Sequence, residues 1–195
     1  DSSSIKSLFS DKSGLVKTSA RTSPSVDSIA IVGAVLGGHL RNTQHPDQFD
    51  SQKTIALQTS LVQAGFLKPT AKNPKPVDGI IGTDTINALD ASVKATVNPA
   101  AMTGDVKNSH ITRIKALAEE LKASPANPYG FDPRVVELQT SAYAVGLYNK
   151  KIDGLAGPAT AKAIESLETL PATHEKPKVM AQNSKAETAP TPVPS

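Results

Sequence analysis

Cysteine and tryptophan are both absent from this chain of 195 residues, and its aromatic side chains are three Tyr and four Phe. Without cysteine there can be no disulfide, no thiolate zinc site and no cysteine nucleophile, so cysteine-dependent hydrolases and transpeptidases are excluded. Few aromatics and an apolar share of 38% allow small cores rather than one large one. Long apolar runs are missing too. The longest, IAIVGAVLGGHL at 29–40, falls short of the roughly 20 residues that a membrane helix takes, so no membrane span is expected. It reads as a buried helix or as a segment that packs on a partner, with Gly33 and Gly37 one turn apart permitting close backbone approach. A dense basic block is also lacking. A net charge of +3 gives no support for nucleic-acid binding. The first residue is Asp1 rather than Met, from which removal of a leader or propeptide is expected.

The residues that are present divide the chain into five parts. Residues 1–50 read as a flexible N-terminal arm rich in Ser, Lys and Thr that carries the apolar segment 29–40. A helix follows from Ser51, capped by Asp50 or Ser51 and stopped at Gly65, with Ile55, Leu57, Leu61 and Val62 as its apolar stripe. A Lys/Pro loop leads to VDGIIGTDTINAL at 77–89, which opens a second helix. Residues 94–131 read as a linker whose amphipathic helix aligns Ile111, Ile114, Leu117, Ala118 and Leu121. Asp132 and Pro133 are a cap and a first helical residue; that helix stops at Gly146, and IDGLAGPATAKAI at 152–164 opens the next. Residues 171–195 form a Pro-rich tail.

The two quoted stretches are copies of one pattern, apolar-Asp-Gly-x-x-Gly-x-x-Thr-x-x-Ala-apolar. The duplication extends upstream, where LQTSLVQAG at 57–65 matches LQTSAYAVG at 138–146. Local chemistry accounts for the pattern. Asp78 and Asp153 accept the N–H groups just ahead, Gly79 and Gly154 supply positive φ, and Gly82 and Gly157 stand at helix N-caps. Thr85 and Thr160 direct their hydroxyls back toward the turn.

Taken with Leu57, Gln58 and Gly65 and with Leu138, Gln139 and Gly146, these motifs resemble the peptidoglycan-binding-domain family of small three-helix modules. The resemblance implies an all-α fold: two such modules, 51–93 and 132–170, joined by the helical linker and flanked by extended N- and C-terminal arms. It implies a non-catalytic cell-wall (peptidoglycan) binding protein, in an extracytoplasmic setting (the cell envelope) or a phage virion. The ligand-binding residues it points to are Gln58, Asp78, Thr85, Gln139, Tyr143, Tyr148, Asp153 and Thr160. Where the family carries an aromatic before the second Gly, this chain has Ile81 and Ala156, and Tyr143 and Tyr148 make the second unit the better binder. The alternative is a structural virion, tail or envelope-machine component that uses the same modules to dock other protein subunits.

No catalytic constellation accompanies the motifs. The chain has no Glu before Glu119, and Glu119 and Glu120 lie on the polar side of the amphipathic helix, so a glycosidase acid is not placed. His39, His45 and Asp47 share no helical face, His110 and His174 stand apart, and no metal site is expected. No nucleophile elbow or phosphate loop is present. The expectation is a protein that is not an enzyme and takes no cofactor.

Overall fold

A computed structural model of the chain describes residues 26–170. The described residues are helical and contain no strand: α1 Val26–Leu36, α2 Ser51–Gln63, α3 Thr83–Thr96, α4 Gly104–Ala123, α5 Pro133–Ala144 and α6 Pro158–Glu168. None of these helices is long and apolar enough to cross a membrane. Of the arm expected over 1–50, residues 1–25 lie outside the described residues, as does the tail 171–195, while residues 26–50 carry α1 and the buried Leu40.

Local signals set the helix ends. Asp50 Oδ1 accepts the Lys53 amide, 3.0 Å away, at the start of α2. Asp132 does the same for Arg134, at 2.8 Å, at the start of α5, where Pro133 is the first helical residue. Gly65 and Gly146 follow α2 and α5 at φ 82° and 80°, the left-handed conformation in which a Cβ would be strained. Gly82 and Gly157 are the N-caps of α3 and α6, as their spacing indicates.

The helices pack as α1 on α2 and α3, and as α4 on α5 and α6. The inner face of segment 29–40 needs no partner to cover it, while Ile29, Ala30 and Gly33 on the other face are exposed. Ile31, Val32, Val35 and Leu40 are buried within the chain itself. Nor does a glycine pair bring backbones together there, for a Cβ on Gly33 would meet nothing within 4 Å. The amphipathic helix expected in the connecting segment 94–131 is α4. Its Ile114, Leu117 and Ala118 are buried, so it is a packing element as well as a connection.

The two halves share one core. Ile31, Leu61 and Leu89 of the first half belong to the same contiguous apolar cluster as Leu117, Leu138 and Ile152 of the second. Helix α1 also touches α5, and the Ile152 amide donates to Asp90 of α3 at 2.8 Å. Helix α5 is central. Apart from Tyr143, every residue from Pro133 to Ala144 is buried, charged ones included.

Those charges are paired. Arg134 holds Asp132 through Nε, at 3.1 Å, and Nη2, at 2.7 Å. Glu137, 1% exposed, accepts from Arg113 of α4 and from Arg41 of the loop after α1, the latter at 3.0 Å. Arg41 also reaches Glu120 of α4 at 2.8 Å. A buried ion pair adds little net stability over an apolar contact, but removing one partner strands the other. Arg41, Glu137 and Arg113 therefore fix how the halves meet.

Gly154→Val tests both the turn and the shared core. Residue 154 sits at φ 71°, and an added Cβ would lie 2.9 Å from Val136 Cγ2. The substitution is expected to cost roughly 3 kcal/mol or more. Thermal unfolding followed by helical circular dichroism should shift to lower temperature as one transition. Two transitions, with only one displaced, would contradict a shared core.

Candidate functional site

The repeated residues meet at a buried glutamine in each half. Gln58, 1% exposed, projects from α2 toward the Asp-Gly turn. Its Oε1 accepts the Asp78 amide at 3.0 Å and the Gly79 amide at 2.8 Å. Its Nε2 donates to Asp78 Oδ1 at 2.9 Å, to the Ile80 carbonyl at 2.9 Å and to Thr85 Oγ1 at 3.1 Å. Asp78 Oδ1 also accepts the Ile80 amide at 3.0 Å, closing an Asx turn. Two amides need an acceptor and three oxygens need a donor, so the orientation of the side-chain amide follows from its partners.

Gln139 repeats the arrangement contact for contact. Oε1 accepts from Asp153 at 3.0 Å and from Gly154 at 2.9 Å. Nε2 donates to Asp153 Oδ1 at 2.9 Å, to the Leu155 carbonyl at 3.1 Å and to Thr160 Oγ1 at 3.0 Å. Asp153 Oδ1 takes the Leu155 amide at 3.0 Å. Gly79 and Gly154, at φ 76° and 71°, let two consecutive N–H groups face one oxygen.

Six of the eight expected site residues, Gln58, Asp78, Thr85, Gln139, Asp153 and Thr160, are thus brought together in two sets that bind one another. Both glutamines and both threonines are buried, whereas Asp78 is exposed and Asp153 half-buried. The hydrogen bond from Gln58, with that from the Ile80 amide, holds the Asp78 carboxyl below the usual carboxylate range. Sequence reasoning placed these residues but missed that glutamine is the hub. The available signal was that Gln, Asp and Thr recur together in both copies, as members of one network would.

The two tyrosines separate. Tyr143 is half-buried against the core, on α5. Tyr148 is 5% exposed and its hydroxyl donates to the Lys151 carbonyl. Counting from the Leu-Gln pairs, it occupies the place of buried Leu67 in the first half, so its ring fills core. Burial, then the charge of Asp153, pushes its hydroxyl up to about 12.

Open space lies beside the second turn. A groove of about 350 Å³ runs between the segment after α5 and the face of α6, lined by Leu147, Tyr148, Asn149, Lys150, Lys162 and Ser166 among others. A cavity of about 140 Å³ beside the first turn includes Asp78, Ile80 and Asp84. Ile80 is 68% exposed there. Among the described residues, no group of three or more His, Cys, Asp or Glu side chains is placed to hold a metal.

Substitutions at two positions check this geometry. Gln139→Glu replaces the Nε2 donor with an oxygen that faces Asp153 Oδ1, and is expected to cost on the order of 3–5 kcal/mol at pH 7. Gln139→Met removes acceptor and donor together and strands the Asp153 and Gly154 amides, so it should also cost on the order of 3–5 kcal/mol, but without the pH dependence. The new carboxyl would have a folded pKa above its unfolded value of about 4.3, so Gln139→Glu should regain stability as pH falls toward 4. Urea melts at two pH values read this directly. Tyr148 gives the second check. Its folded pKa is raised from 10.0 to about 12, so its contribution is complete below pH 10 and is lost as pH rises to about 12. Tyr148→Phe should flatten that alkaline loss in melts collected between those values.

No family model matches this chain, and comparisons with curated proteins and with solved structures each gave no match.

Proposed function

We propose that this chain is a non-catalytic cell-wall binding protein built from two copies of a three-helix unit, α1–α3 and α4–α6, with the groove beside the second turn as its binding surface. The observation that carries this reading is the duplicated glutamine-anchored turn, whose Leu-Gln, Asp-Gly-x-x-Gly and Thr positions are those that resemble the peptidoglycan-binding modules. In this reading Gln58, Asp78, Thr85, Gln139, Asp153 and Thr160 shape the turns rather than touch the ligand. The residues lining the groove replace them as the contacting set, with Tyr148 as a wall. The setting is the cell envelope or a phage particle, and the ligand is peptidoglycan.

A second reading has the same body docking other protein subunits. What favours it is that the most recognisable motif residues are bound to one another, while Ile80 at the first turn is exposed. One experiment separates the two. Purified chain incubated with intact sacculi and centrifuged should pellet with them. Recovery of the whole sample in the supernatant, at protein and wall concentrations that sediment a known binder, would exclude wall binding and leave docking.

A further inference from the structure

We propose that the groove of the second half selects an anionic group of the wall polymer, and that the corresponding surface of the first half does not. The polymer comes from the reading above; the charge comes from the groove. Its lining includes Lys150, Lys162 and the Asn149 amide, and no carboxylate; the Ser166 hydroxyl there already donates to the Lys162 carbonyl at 2.8 Å. Among the described residues, neither Lys150 nor Lys162 has a carboxylate within ion-pair distance. The two carboxylates whose charges act on Tyr148 are already occupied. Asp153 is held by Gln139 and the Leu155 amide, and Asp90 by Lys94 and the Ile152 amide. Two ammonium groups and a neutral amide donor, with no acid in the lining, favour a carboxylate or phosphate over a neutral sugar face.

The repeat supplies an internal comparison. Counting from the N-cap glycines Gly82 and Gly157, α3 carries Asp84, Asn87 and Ala91 where α6 carries Ala159, Lys162 and Ser166. The first helix thus has an acid where the second has alanine, and a neutral amide where the second has an ammonium. Asp84 and Asp78 both line the cavity beside the first turn. Counting from the Leu-Gln pairs, the loop after α2 carries exposed Lys68 and Pro69 where the groove has Asn149 and Lys150, so the first surface sets one ammonium against Asp84 while the second holds two ammonium groups and no acid.

The wall offers carboxylates on its stem peptides and phosphates on attached polymers. The test therefore uses three soluble probes with the full chain: a disaccharide-peptide with free carboxylates, its amidated form, and a glycerol-phosphate oligomer. Titrations are followed by amide NMR and repeated at higher salt. The free-carboxylate fragment or the phosphate oligomer should move the signals of Asn149, Lys150 and Lys162, with affinity falling as salt rises. The preferred probe identifies the source of the anion. Lys150→Gln with Lys162→Gln should weaken binding about tenfold per lysine, and Lys162→Arg should largely retain it. Both lysines are exposed, and an unchanged melting temperature would show that the variants fold. Equal binding of sacculi by wild type and the double variant, or binding indifferent to salt, would overturn the anionic assignment while leaving wall binding in place. Binding of a soluble anion without binding of sacculi would remove the wall reading alone. Failure of every probe and of sacculi would remove both.

Discussion

A side-chain amide buried away from water must find partners for its oxygen and both its N–H bonds, and in this protein that requirement organises each half. Gln58 and Gln139 reach from one helix to the turn that starts another, accepting from two consecutive backbone amides and donating to the oxygens around them. Left unpaired, each such group would cost about 1–3 kcal/mol. The turn therefore cannot drift from the helix without stranding several groups at once. The positive φ of Gly79 and Gly154, the Asx turns and the orientation of Thr85 and Thr160 all follow from that geometry. The repeated motif is the written form of one interaction.

The second constraint joins the halves. Helix α5 is enclosed on nearly all sides, yet it carries Arg134 and Glu137, and each has a charged partner in place. Glu137 ties α4 and the loop after α1 to α5, next to the contact of α1 with α5. One contiguous core then holds both turns at a fixed separation.

The parts of this architecture that could be read from sequence are those set by neighbours along the chain. Asp50, Asp132 and Pro133, the helix-stopping Gly65 and Gly146, and the two Asp-Gly turns act within a few residues, and the structure places each as its local chemistry demands. Partners were less legible. The apolar run at 29–40 shows that it must be covered but not by what. Its cover turns out to be α2, α3 and α5 of the same chain. The candidate site was legible in its members and not in their role. A glutamine beside a leucine on a helix looks like a group facing a ligand, and only the three-dimensional turn shows that its hydrogen-bonding capacity is already filled. The charges of α5 were hidden for a similar reason, because Arg and Glu in a helix read as a solvated face until their partners from distant segments are known.

Amide hydrogen exchange at four turn positions tests the glutamine anchor most directly. Asp78, Gly79, Asp153 and Gly154 lie outside the helices, where backbone amides ordinarily exchange fast, but each donates to a buried glutamine oxygen. These four should exchange as slowly as amides in the middle of α2 and α5, and the pair in the second half should lose that protection in Gln139→Met while the pair in the first half keeps it. Exchange at the rate of an unstructured chain in the wild-type protein would show that the turns are not held by these side chains.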